Sequence, residues 1–537
     1  MLGWSIRLYF LRFPNCCFFC EGLHLKNPSL LNFSLKVLLS AIYITGVLAS
    51  FAYAVARFTV KTFGDLPISQ VLFHLNAGGA AEAINEEIAS QLWKCGGIFA
   101  ALFIILSLLF ASAVSPRFRH GIANVRWIRS VLKVLSDWRV IFLIVAVVIT
   151  AVTTHYVEKK FHVSTYFTRQ YSDWFEQHYA VLDPTQFVFA ENKKRNLLVI
   201  FLESMEVSYR EDKVFGENLI PELEALEKEG GMLRGYHRTP GGFFTLDGLS
   251  AMLLGVPVIA QDFNIHNIKN QTVLSGAPSV FNLLQKAGYV TANFSGVSQE
   301  FTSKRLYFAK HGIEQGYFKE DWLKSGYELN VSTQGTWDFN DQFLWERLKE
   351  WLDKAGKSGK PFAAVFETVD THQPNGWVPD DARKFNDLRD AIRLSSKMTL
   401  EFIDWAKRQS WYKDTVILIA GDHPWQDAPT SPFTKLAKSG STREIYNVFL
   451  NSPYLPAGKV LRPVGGYTPM DVAPTILASL GIAFTSTMPD GTVSHSRIGL
   501  GTNLLSGEPT LFSTVGIKPY EEELLNKRSK LYEELFW

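Results

Sequence analysis

Three long apolar runs crowd into the first 160 residues of this 537-residue chain, at 37–56, 96–114 and 140–157, and none contains a lysine, arginine, aspartate or glutamate. About 20 such residues in helix cross the roughly 30 Å hydrocarbon layer of a bilayer, and a soluble fold has no comparable place to bury them. Three transmembrane helices are therefore expected, the third slightly short and with His155 near its end. Everything else in the chain must be arranged around that membrane region.

Orientation follows from the loops. Arg117, Arg119, Arg126, Arg129, Lys133 and Arg139 stand between the second and third runs against Asp137 alone. Basic loops stay in the cytoplasm, so the third helix runs outward and the chain after about residue 160 faces the exterior. The first loop, with Glu82, Glu86 and Glu87, then lies outside as well. Residues 1–20 are broken by Arg7, Arg12 and Pro14 and read as an interfacial or disordered start rather than a fourth span or a cleaved signal. Residues 124–135 carry apolar positions at helical spacing with basic residues between them, as an interfacial helix would. The aromatic-rich stretch 164–179 suits either a linker helix packed on the next domain or a belt at headgroup level.

These features divide the chain into a membrane domain over 1–160, a juxtamembrane linker helix within 161–195 and an extracytoplasmic catalytic domain over 196–537. All four cysteines, Cys16, Cys17, Cys20 and Cys95, fall in the first part, so the large domain is expected to form its core without disulfides. The clustered cysteines lack the partner pair a zinc site needs and read as structural or incidental. A formal net charge of +2 gives no sign of a nucleic-acid partner.

From residue 196 short apolar runs alternate with amphipathic stretches, the pattern of an α/β domain with a largely parallel sheet. Buried strands are expected at 197–202, 290–294, 362–366, 415–420 and 446–450. Helices fit 220–229, 277–286, 341–353, 391–408 and 469–480. Open α/β sheets collect ligands at the carboxyl ends of their strands. There the first strand gives way to Glu203 and the fourth to Asp422 and His423, while TPGGFFTLDGL presents the hydroxyl of Thr245 after a glycine turn, at the start of a helix. A threonine hydroxyl is a poor nucleophile unless a base or Lewis acid takes its proton. Glu203, Asp422 and His423 offer two oxygens and a nitrogen to a divalent ion, and Thr245 completes the set. Such a mixed set suits manganese, magnesium or zinc, and the residues alone do not choose among them. The segment order points to metal-dependent phosphotransfer.

These segments resemble the signatures of the lipoteichoic acid synthases and membrane-bound phosphoglycerol transferases, within the alkaline phosphatase and sulfatase superfamily. The likeness runs from about 196 to 507 and is strongest to the phosphoglycerol transferase of periplasmic glucans, through TPGGFFTLDGL, TVDTHQPNG at 368–376 and GLGTNLLSG at 499–507. The resemblance implies a sulfatase-like α/β domain behind an α-helical transmembrane region in the bacterial inner membrane, facing the periplasm or exterior. It implies Thr245 as nucleophile, Glu203, Thr245, Asp422 and His423 as metal ligands, and His372 as a phosphate-binding or proton-donating group. It implies phosphatidylglycerol as donor and a glycan or other envelope acceptor. Where the synthases carry Trp-Asn-Arg, this chain has Phe301-Thr302-Ser303-Lys304, so Lys304 stands in for the arginine as a point charge at the headgroup. Trp337 and Asp341 match a Trp-Gly-x-x-Asp pattern with Asp338 in place of glycine; Trp337 is placed at the substrate, and Asp341 is expected to cap the following helix. Sulfatase chemistry is disfavoured, because 245–249 lacks both a Cys or Ser for formylglycine and the arginine four residues on. Competing readings are a phosphoethanolamine transferase, a metal-dependent phosphatase or phosphodiesterase and, from another class, an inactive membrane receptor of the same fold.

Overall fold

The computed structural model describes residues 28–63, 68–71, 86–115, 138–259, 273–335, 337–372, 376–425, 436 and 443–536. The expected start over 1–20, the interfacial helix over 124–135 and most of the basic loop lie outside them.

Three helices are long and apolar enough to cross a membrane: α1 (Pro28–Phe63), α2 (Glu86–Val114) and α3 (Trp138–Phe161). The chain divides into two compact units, one of 1–57 with 93–157 and one of 58–92 with 158–537. In the first, Leu39, Leu106, Ala113, Phe142 and Ala146 form a small shared core. Gly46 lets the side chain of Leu106 approach α1, and Tyr43 bonds Ser107 at 2.9 Å. Outside that seam the apolar side chains are exposed, Leu48 and Val147 among them, as a lipid-facing surface requires.

The second unit is built on a six-stranded sheet: β1 (Asn196–Leu202), β2 (Val290–Phe294), β3 (Gln315–Tyr317), β4 (Phe362–Glu367), β5 (Thr415–Gly421) and β6 (Asn447–Leu450). Their spatial order is β3-β2-β4-β1-β5-β6, parallel except for the last pair. The central strands are largely apolar because both faces are covered. Leu197, Val199 and Phe201 face one core, which includes Leu246, Leu249 and Met252 of helix α4 (Thr245–Leu254). Leu198, Ile200 and Leu202 face the other, with Leu344, Trp345 and Leu348 of α5 (Asp341–Lys357) and Phe402 and Ile403 of α6 (Leu388–Ala406). The result is a three-layer α/β/α arrangement, as the sequence pattern implies.

The stretch 161–195, expected as a linker helix, is not one. His162 takes a left-handed conformation at φ 51° and interrupts the helical path. Two short helices follow, Val163–Thr168 and Trp174–His178, and then a strand, Val181–Phe189, that pairs antiparallel with Ile482–Thr487. The pairing shifts register between Phe484 and Thr485, opposite Pro184, which has no N–H for a ladder bond.

Candidate active site

Strand register brings the first two carboxylates together. In the β1–β5 pair Leu202 lies opposite Gly421, so the next residues, Glu203 and Asp422, emerge side by side at the carboxyl edge. The chain leaves β1 through Ser204, held at φ 52°. Ser204 N–H donates to Asp422 Oδ1 at 2.8 Å, as does His423 N–H, and Ser204 Oγ donates to Glu203 Oε1 at 2.6 Å. His423 Nδ1 donates to the Pro424 carbonyl at 2.9 Å, so Nε2 is the ring nitrogen left to serve a metal once it carries no proton. That nitrogen lies 3.5 Å from Glu203 Oε1 and 3.5 Å from Asp422 Oδ2.

Glu203, Asp422 and His423 are buried, with ligand atoms within 4.8 Å of one another. Asp422 Oδ2 is buried and, among the described residues, has no hydrogen-bond partner. Burial works to raise the Glu203 carboxyl, but the imidazoles of His423 and His372 and the hydroxyls of Ser204 and Thr245 outweigh it and hold Glu203 below the usual range. Burial and the charge of Glu203 push Asp422 well above that range. Three electron-pair donors thus converge on one point, and a buried arrangement of that kind calls for a cation. The residues fit a divalent metal.

Thr245 opens α4, and its Oγ1 donates to Glu203 Oε2 at 3.1 Å. The helix end directs its first backbone N–H groups and positive dipole toward this edge, a setting that favours a phosphate. Gly248, one turn along, packs on the backbone of Asp422: a Cβ there would collide with the Asp422 carbonyl oxygen.

His372 lies past the end of β4, and its imidazole is among the groups that hold the Glu203 carboxyl down. Its ring meets Trp337 edge-on at 4.9 Å, and Trp337 in turn meets Phe301 at 5.1 Å. Lys304 is placed differently from its expected post at the headgroup. It is only 4% exposed, and its ammonium pairs with Glu367 at the end of β4, because a glutamate buried there needs a cation of its own. Asp341 is not the cap of α5 either. Asn340 is, accepting Phe343 N–H at 2.8 Å, while Asp341 turns to the backbone of Val369 and Asp370.

Asp247 escaped the sequence reading. It accepts N–H bonds from Gly241 at 2.9 Å, Phe243 at 3.0 Å and Val258 at 2.8 Å, and so shapes the turn that presents Thr245. Burial pushes its carboxyl up to about 7 against those bonds. The available signal was an aspartate in the first turn of a helix, where side-chain acceptors serve free N–H groups. Thr368 and Thr371, which bond the backbone of Glu203, left no comparable signal.

Residues 195–482 match the sulfatase family, and the chain belongs to it. It is similar to phosphoglycerol transferase I of Salmonella choleraesuis, with 28% identity over 330 residues, covering 59% of this chain and 40% of that protein. The chain thus spans well under two thirds of that relative. Among solved structures, a protein of the alkaline phosphatase superfamily from Vibrio parahaemolyticus aligns with a TM-score of 0.44 at 17% identity, over 68% of this chain and 95% of that one. The lipoteichoic acid synthase LtaP of Listeria monocytogenes aligns with a TM-score of 0.44 at 17% identity, over 63% of this chain and 94% of that one.

Proposed function

We propose, with membership of the sulfatase family as the premise, that this protein is a membrane-anchored, metal-dependent phosphoglycerol transferase. It moves glycerol phosphate from phosphatidylglycerol to a hydroxyl of an extracytoplasmic glycan or another surface acceptor, by way of a phosphothreonine at Thr245. The observation that carries this reading is the Thr245 hydroxyl bonded to Glu203, beside a buried cluster of carboxylates and imidazole that calls for a cation. The similarity to phosphoglycerol transferase I supports the choice of group transferred.

In this reading Glu203, Thr245, Asp422 and His423 hold the metal. A divalent ion there, manganese with magnesium or zinc as alternatives, neutralises phosphoryl charge and eases ionisation of the hydroxyl. Thr245 Oγ1 already points its proton at Glu203 Oε2, and Glu203, held in its ionised form, accepts it. Oγ1 attacks phosphorus, the bond from phosphorus to the diacylglycerol oxygen breaks, and His372 supplies the proton that the departing alkoxide needs. In the second step an acceptor hydroxyl gives its proton to His372 and attacks the same phosphorus, the bond to Thr245 breaks, and the threonine oxygen takes back the proton held by Glu203. Trp337 and His372 form the wall against which the headgroup packs. The three apolar helices keep the enzyme beside a donor that stays in the bilayer. The basic loop ahead of α3 supports a bacterial inner-membrane location with the catalytic domain in the periplasm or exterior.

The test is made on membranes given labelled phosphatidylglycerol. Thr245→Ala is expected to abolish diacylglycerol release while keeping the fold. The wild type, quenched rapidly without acceptor, should carry a phosphoglycerol mass on the peptide containing Thr245. Release at the wild-type rate by Thr245→Ala would overturn the reading. Labelled free glycerol phosphate as the sole product, with acceptor present, would make the protein a phosphodiesterase instead.

A further inference from the structure

The segment 368–372 bridges two parts of the site. On one side it brackets Glu203: Glu203 N–H donates to Thr368 Oγ1 at 2.9 Å, and Thr371 Oγ1 donates to the Glu203 carbonyl at 2.6 Å. On the other it is locked to the start of α5. Asp341 Oδ1 accepts Val369 N–H at 2.7 Å, Asp341 Oδ2 accepts Asp370 N–H at 3.2 Å, and Asp370 Oδ2 accepts Asp341 N–H at 2.7 Å. The exchange is reciprocal, and both carboxyls are buried.

This lock is more than the helix start requires, since Asn340 already caps α5. It is also a poor device for stability, because two desolvated carboxyls facing each other cost more than an apolar contact of the same size. What it does achieve is to fix the backbone immediately before His372, whose own N–H donates to Val369 O at 2.9 Å. Trp337, the ring that His372 packs against, lies four residues ahead of Asp341 in the chain. The approach is tight: a Cβ on Gly335 would collide with Asp370 Oδ1.

We propose that Asp341 is a positioning residue for His372, holding the imidazole between Trp337 and the Glu203 edge through the backbone of 369–370. The inference rests on the role given to His372 above. A proton donor displaced by about 1 Å can cost on the order of 100-fold in rate.

The experiment is a double-mutant cycle on diacylglycerol release in full-length protein, with each variant compared at equal metal content and equal folded fraction. His372→Ala should lower kcat about 100-fold, and Asp341→Asn about tenfold with KM little changed. Added to His372→Ala, Asp341→Asn should cost less than about twofold, because the group it positions is gone. A purely structural Asp341 would keep its full tenfold cost there, and that result overturns the inference alone. If His372→Ala releases diacylglycerol at the wild-type rate, the role of His372 fails and the inference with it. Where Asp341→Asn does not accumulate as folded protein, the same cycle is run with Asp370→Ala, which leaves the two bonds accepted by Asp341 in place and removes the return bond. Its smaller loss should likewise vanish in the His372→Ala background, and a loss that persists there overturns the inference.

Discussion

Two stretches of the same sheet edge treat buried carboxylates in opposite ways. At the end of β4 Glu367 has Lys304 beside it, and just past β1 Glu206 is held by Arg443, whose Nε lies 2.9 Å from Oε2. Between them Glu203 and Asp422 sit equally deep, yet among the described residues neither meets a lysine or arginine; they have hydroxyls, backbone N–H groups and the electron-pair side of His423. A third solution appears away from the edge, where Asp471 accepts bonds from Thr468 and Thr502 and burial pushes its carboxyl up to about 6. The chain therefore supplies its own cation beside Glu367 and Glu206 and serves Asp471 with hydrogen bonds, whereas in the proposed reading a metal completes the Glu203–Asp422 pair. That difference locates the chemistry better than burial alone.

The comparison breaks most decisively at the pair without a protein cation. Asp422→Asn, or chelation of the wild type, is expected to lower transfer by about 1000-fold or more. Elemental analysis should show the variant losing its metal; full occupancy in an Asp422→Asn, His423→Ala double variant would end the assignment. At the self-sufficient pair the outcome should be reversed. Lys304→Met strands the Glu367 charge and is expected to cost about 3 to 5 kcal/mol of stability by denaturant titration, with metal content per folded molecule unchanged. Adding Glu367→Leu should recover most of that loss.

Asp471 gives a pH signature of defined sign. Its folded carboxyl binds a proton more tightly than the unfolded one, whose value is near 3.8. Its contribution is thus complete below about pH 4 and is lost as pH rises through about 6, a fall of up to about 3 kcal/mol. Asp471→Asn should flatten the thermal midpoint across that window, and an unchanged slope would remove Asp471 as its source. The smallest effect concerns a hydroxyl at the metal cluster. Ser204→Ala deletes one bond to Glu203 and should weaken metal affinity about tenfold by competition with a chelator.

The central strands were legible because a parallel strand covered on both faces is written as an unbroken apolar run, as in Leu197 to Leu202. Glu203, Asp422 and His423 were legible for the same reason: each interrupts or follows such a run. β3 was not, since Gln315–Tyr317 is a three-residue edge strand of mixed exposure. Val181–Phe189 reads as linker because Asp183 and Pro184 break its pattern, and only its distant partner at 482–487 shows it to be a strand. Lys304 and Asp341 were both singled out, yet the groups they hold are remote in sequence and follow no period, so their partners had to come from the fold.

The contact of Gly248 with the Asp422 carbonyl makes one position a gauge for the distance between Thr245, the proposed nucleophile, and the sheet. Any side chain at 248, however small, must tilt or slide α4 and carry Thr245 away from Glu203. An engineer wishing to exchange Thr245 for serine, or to reshape the TPGG turn, has none of the usual latitude at this residue. If Thr245 is the nucleophile as proposed, variation at 248 reports on whether it is still in use: a chain that relies on it keeps the hydrogen there, and a descendant that has abandoned the reaction is released from the restriction.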